Sequence, residues 1–287
     1  MLARLPLALL AALVAVAIGC NDPKNDSPAG DDDDDDGTTW APIITGDWTL
    51  DPNSELTNDL HAIQLDRDYY IRAIRPIAPP GTHHTLLAKN IVATDIIYAS
   101  GLGTEEIVFP PGVALHLSAG ETLYLQLHLF NVEATPLTGL SGIEILEMPA
   151  EDVLYEADVF LPGPRDLALP PSQVSTVTDT CNVTSEMNLF AVIPHMHQLG
   201  THLRLAATVS GVTTTLHDQS YSFSNQQVAE FASPITVASG DSLEIECTWN
   251  NTTGATVGWG ESTDTEMCFA ILFRWPAQGQ EFCTLFP

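Results

Sequence analysis

The chain has 287 residues, enough for two modest domains, and its 45% apolar content can fill genuine cores, which excludes a disordered protein. Thirty-seven acidic residues against nine Lys and Arg leave a net charge of -28, which repels phosphate backbones and anionic headgroups. Nucleic acid is therefore excluded as a partner, and the sequence has neither a Gly-rich phosphate loop nor a nucleophile elbow.

In chain order, residues 1–19 read as a signal peptide: Arg4 precedes an apolar run from Leu5 to Ile18 that is too short for a comfortable membrane span. Ala17-Ile18-Gly19-Cys20 resembles the lipobox of bacterial lipoproteins, which implies lipidation of Cys20 and a lipid-anchored place at the bacterial cell envelope, in the outer membrane or facing the periplasm. The anchor would be the only membrane contact. Residues 20–39, with six aspartates from Asp31 to Asp36, offer nothing apolar to bury and read as a disordered acidic tether.

Beyond the tether the pattern is strand after strand. Tyr69 to Ile74, Glu121 to Phe130, His202 to Val209 and Ser242 to Trp249 alternate or are rich in β-branched and aromatic residues, and Pro and Gly punctuate them. The expected class is all-β, sandwich or jelly roll. Leu161 to Pro171 is the best linker candidate, dividing the folded part into residues 40–163 and 164–287.

Six potential metal ligands recur along these strands: His83-His84, His128 in Gln126-Leu-His128, His195-Met-His197, and Met267 in Thr-Glu-Met-Cys. Side chains at i and i+2 share a face, so His195 and His197 can reach one ion, and Gln126 can orient a ligand beside His128. Adjacent His83 and His84 need a bulge or a strand end to act jointly, and Pro79-Pro80-Gly81 supplies an irregular start. A thioether is soft and selects copper over zinc, calcium or magnesium. His61, His116, His202 and His217 read as surface or hydrogen-bonded histidines, and Trp249 and Trp259 as core or rim residues. Cys181, Cys247, Cys268 and Cys283 form an even set suited to two disulfides in an oxidising compartment, with three connectivities open.

Gly-Thr-His-His-Thr-Leu-Leu, Gln-Leu-His-Leu-Phe, His-Met-His-Gln-Leu-Gly, Cys-Thr-Trp-Asn and Asp-Thr-Glu-Met-Cys occur in one order and together resemble the type II copper, ascorbate-dependent monooxygenases. That family includes peptidylglycine α-hydroxylating monooxygenase and dopamine β-monooxygenase. The resemblance implies two tandem jelly-roll sandwiches, each carrying one of two copper ions, facing each other across a solvent-filled cleft. It implies that His83, His84 and His128 hold an electron-relaying copper, and that His195, His197 and Met267 hold the copper that meets O2. It further implies ascorbate or another one-electron reductant, a small-molecule substrate, and the disulfides Cys181–Cys283 and Cys247–Cys268. Two departures stand out: the first half lacks cysteines after Cys20, with Asn90 where one would be expected, and the positions with which the peptide-hydroxylating member holds its substrate's carboxylate are here Ile193, Phe269 and Ile271. An apolar trio leaves a buried carboxylate unpaired, which argues against peptide amidation and for a less polar or amine-type substrate. The competing reading is a noncatalytic copper-handling lipoprotein.

Overall fold

The computed structural model describes residues 39–91, 95–260, 262, 264–279 and 282–283. The expected signal peptide, Cys20 and the tether up to residue 38 lie outside the described residues.

The chain is all-β. Its first half contains β1 (Ala41–Leu50), β2 (Ser54–Gln64), β3 (Tyr69–Ile77), β4 (Thr82–Ala88), β5 (Ile96–Ser100), β6 (Ile107–Val108), β7 (Val113–Leu117), β8 (Thr122–Asn131) and β9 (Leu137–Glu147). After a short 3-10 turn at Ala150–Asp152 come β10 (Tyr155–Phe160), β11 (Ala168–Leu169), β12 (Gln173–Asn182), β13 (Met187–Met196) and β14 (Gly200–Val209). The series ends with β15 (Val212–Ser220), β16 (Ala229–Val237), β17 (Ser242–Asn251), β18 (Val257–Gly258) and β19 (Cys268–Trp275).

Period-two patterning explains the two central strands. In β8, Leu123, Leu125, Leu127 and Leu129 are fully buried while Thr122, Tyr124, Gln126 and His128 occupy the other face. In β17, Leu243, Ile245, Cys247 and Trp249 are buried in the same rhythm. Each such side chain contributes about 1.5–3 kcal/mol over its exposed state.

These strands assemble as two sandwiches. Sheet β2-β8-β4-β5 covers one end of a nine-stranded sheet ordered β1-β9-β3-β7-β10-β19-β13-β16, with the short β6 also paired to β3, and sheet β12-β17-β14-β15 covers the other. Backbone pairing passes between them through β10, which lies parallel to β7 and antiparallel to β19. The register of β13 on β19 sets Ile193 opposite Ile271 and His195 opposite Phe269. One face of this pair, with Ile193, Phe269 and Ile271, joins the core shared with the first sandwich; the other, with Val192, Met196, Ala270 and Leu272, packs into the second.

Both sandwiches carry the same buried asparagine corner. Asn131 Nδ2 donates to the carbonyls of Leu50, Asp51 and Thr135 while its Oδ1 accepts from Glu133 N. Asn251 Nδ2 donates to Leu169, Pro170 and Ala255, and its Oδ1 accepts from Thr253 N. The second sandwich is additionally crosslinked by Cys181–Cys283 and Cys247–Cys268.

Candidate metal centre

The first ligand set is built on β4 and β8. A register shift between Thr82 and His84 makes His83 the extra residue of a bulge, while His84 sits directly opposite His128. Gly81, at φ +102°, turns the chain into this strand, and its missing Cβ leaves room for the Trp48 ring. The result is convergence of three imidazoles: His83 Nδ1 and His84 Nδ1 each lie 3.3 Å from His128 Nδ1. Ligand atoms of the three residues all fall within 4.8 Å of one another. Two imidazole nitrogens on one ion, with bonds of about 2.0–2.1 Å at a tetrahedral angle, sit roughly 3.4 Å apart, so the set fits a single ion. His128 Nε2 is 2.6 Å from Glu55 Oε1; donating its proton there leaves Nδ1 as the lone-pair donor, the carboxylate-histidine pairing usual behind metal ligands.

The second set stands at the end of β13. His195 and His197 share a face, with ring centroids 5.4 Å apart. His197 donates Nδ1–H to Thr265 O at 2.8 Å, which leaves its Nε2 for an ion. Met267, two residues past Thr265, lines the same cavity as both histidines. Glu266 ties this corner together: its buried carboxylate accepts from His197 N at 3.0 Å, Leu199 N at 2.7 Å and Trp249 Nε1 at 2.9 Å. Burial pushes the Glu266 carboxyl up, against those donors, which pull it down.

Four of the rings, His83, His84, His195 and His197, are held toward the neutral form. Burial, then His128, brings His83 down to about 4, and burial, then His197, brings His195 down to about 4. Burial and the neighbouring His83 and His195 hold His84 well below its ordinary 6.5, and burial lowers His197. Neutral imidazoles present the lone pairs that a transition metal needs.

The two sets do not face each other across an open, solvent-filled cleft. His84 and His195 have ring centroids 6.1 Å apart, and the Gln226 side chain stands between them, with Nε2 3.0 Å from His84 Nε2 and Oε1 3.1 Å from His195 Nδ1. Gln226 belongs to the loop between β15 and β16, which crosses to the first sandwich. Gln226 N donates to Leu102 O at 2.9 Å, Thr104 Oγ1 donates to Gln226 O at 2.7 Å, and Gln227 Nε2 donates to Gly103 O at 2.7 Å. Phe223, on the same loop, packs its ring 4.5 Å from His83 and 5.0 Å from His84.

His84, His128, His195, His197 and Met267 all border one cavity of about 190 Å³, whose wall includes Ile193, Phe269, Ile271 and Trp259. Gln126 also lines it, but the hydrogen bonds that fix the ligand rings come from Glu55, Thr265 and Gln226. Arg165 borders the cavity with its guanidinium 4.0 Å from the Phe282 ring centroid. Three of the four remaining histidines sit elsewhere in polar contacts, His61 with Asp59, His116 with Glu156 and His202 with Asp218, and the fourth, His217, lies on β15. Trp249 is core, and Trp259 lies at the cavity rim. Glu55, Glu266, Phe223 and Gln226 were not singled out by sequence; Glu266 alone had a signal, its place inside Thr-Glu-Met-Cys.

Residues 155–285 match the family model for the C-terminal domain of copper type II ascorbate-dependent monooxygenases. The chain is 26% identical over 228 residues to DBH-like monooxygenase protein 1 of Mus musculus, covering 71% of this chain and 37% of that protein. It is 24% identical over 216 residues to putative DBH-like monooxygenase protein 2 of Homo sapiens, covering 68% and 43%. The chain thus spans about two fifths of the length of these curated relatives. Among solved structures, a triple jelly-roll protein of an archaeal virus aligns with 84% of this chain and 62% of its own at 12% identity and a TM-score of 0.27.

Proposed function

Through residues 155–285 the chain belongs to the type II copper, ascorbate-dependent monooxygenases, and we propose that it uses copper, O2 and an external one-electron reductant to hydroxylate a C–H bond of a small organic substrate. The observation that carries this reading is that His84, His128, His195, His197 and Met267 border one cavity against a largely apolar wall, with His83 converging on His84 and His128 behind it. Copper held there would supply one-electron transfer and activation of O2. The residues do the rest: Glu55 and the Thr265 carbonyl hold His128 and His197 in the tautomers that present a lone pair inward, and Ile193, Phe269 and Ile271 desolvate the bound substrate.

Size and lining point to the substrate class. An apolar cavity of about 150 Å³ accepts benzene, so about 190 Å³ suits a single ring or branched chain with a short polar arm. Positions 193, 269 and 271 offer a peptide carboxylate no cation, so Arg165 is the one basic side chain such a group would meet on the described cavity wall. We place the protein at the bacterial cell envelope, anchored through Cys20.

The test is copper stoichiometry together with oxygen uptake under a reductant and a panel of small amines and aromatic compounds. Two coppers, substrate-dependent uptake and a hydroxylated product are expected. Two tightly held coppers with uptake that no panel member stimulates would favour copper handling instead, and fewer than two would overturn the ligand assignment.

A further inference from the structure

Resting on the two-copper reading above, we propose that Gln226 is a single hydrogen-bond acceptor for which the two metal sites compete, so that filling one site weakens the other.

The argument is a count of protons. In the first set the three Nδ1 atoms converge, so an ion held there takes the Nδ1 lone pair of His84 and leaves that ring's proton on Nε2. His84 Nε2 faces the amide nitrogen of Gln226 at 3.0 Å. In the second set His195 faces the amide oxygen with Nδ1 at 3.1 Å, so it donates Nδ1–H and keeps Nε2 for an ion. Both rings therefore want the oxygen of the same amide once they are ligands, and the amide has one.

The protein has set which ring receives it. Gln226 Nε2 also lies 3.2 Å from Phe223 O, a carbonyl that accepts only. Reversing the amide would bring its oxygen against that carbonyl, so the oxygen is held toward His195 and the NH2 toward His84. In this arrangement His84 Nε2 must accept, its proton must sit on Nδ1, and the ring is in the tautomer that cannot ligate with the others. An ion in the first set turns the contact into two N–H groups face to face. Relief requires the amide to rotate, which takes the acceptor from His195 and the donor from Phe223 O.

Nothing lets Gln226 withdraw freely. It is 2% exposed, its backbone is tied to Leu102 and Thr104, and its side chain lies where a Cβ on Gly101 would meet it at 2.5 Å. The coupling is thus built into a clamped loop.

The experiment measures Cu(I) binding by the full chain against a colorimetric chelator. The overall two-copper constant is divided by the product of the single-site constants, obtained in His197→Ala and His128→Ala; this quotient is 1 for independent sites. Supporting contacts behind metal ligands are worth about tenfold or more in affinity, so the wild-type quotient is expected near 0.1 or below. Gln226→Leu and Gln226→Met give neither ring an amide oxygen to compete for; each variant should raise the quotient about tenfold, and either one suffices if the other does not fold. Repulsion between two nearby cations does not depend on residue 226, so a quotient unchanged in these variants would overturn the inference while leaving two-copper binding intact. Fewer than two coppers bound to the wild type would remove both.

Discussion

Replacing Glu266 tests how the second ligand set is held. Its carboxylate is fully buried and accepts three hydrogen bonds, two at Oε2 from His197 N and Trp249 Nε1 and one at Oε1 from Leu199 N. Glu266→Ala strands three buried donors, each at about 1–3 kcal/mol, while the relief from no longer burying a carboxylate offsets part of that loss. The net destabilisation should be about 3–5 kcal/mol, which for a fold of this size lowers the melting temperature by roughly 10 °C or more. Glu266→Gln keeps one acceptor oxygen but turns an NH2 toward one of the former donors, so it should fall between, at about 1–3 kcal/mol. The assay is calorimetry of metal-free, disulfide-intact protein at pH 7. An alanine variant melting within about 3 °C of wild type would refute the reasoning, because the three donors would then have found other partners.

Met267→Ile should abolish hydroxylation and copper binding at His195 and His197 while one copper remains at His83, His84 and His128, as read by stoichiometry and spectroscopy; unchanged turnover would remove Met267 from the ligand set. Metal-free protein should lose stability as pH falls from about 6.5 toward 4. There the unfolded chain takes up protons on His83 and His195, whose folded-state values of about 4 lie below the ordinary 6.5, so denaturant midpoints should be lower at pH 5 than at pH 7. Opening the Cys247–Cys268 crosslink with a double Cys→Ala replacement frees a loop with a sequence separation of 21. The chain-entropy relation puts that at about 3 kcal/mol, measurable as a lower urea midpoint with a slope that rises as the unfolded chain becomes less compact.

The strands were legible because they obey a local periodicity, and the i, i+2 spacing of His195 and His197 announced that the two rings share a face. Leu123 to Leu129 alternate cleanly in β8, and the Pro-Pro-Gly run before His83 and His84 announced the irregularity that became a bulge. The disulfide pairs implied by the family resemblance are the ones formed. What stayed hidden lies in long-range polar partners, which leave no pattern in their own neighbourhood. Glu55 is 73 residues from His128, and Gln226 is 142 residues from His84, in a stretch of Ser, Asn and Gln that reads as an ordinary turn. For the same reason the sequence carried no distance between the two sets of side chains, whose approach is bridged by the loop carrying Gln226, docked on Leu102, Gly103 and Thr104.

The twin asparagine corners mark a repeat. Asn131 and Asn251 stand 120 positions apart, and the same offset carries Gly120-Glu121-Thr122-Leu123 onto Gly240-Asp241-Ser242-Leu243 without a gap. Even the turn chemistry repeats, with Glu121 accepting from Ser118 N as Asp241 accepts from Ala238 N. The two sandwiches repeat one local structural unit at a constant offset. In that register His128 falls on Thr248 and Leu127 on Cys247, so the candidate ligands are not part of what repeats. The candidate ligands stand on β4 and β8 in one half and on β13 and the segment entering β19 in the other, so the proposed centres are asymmetric on a repeated frame.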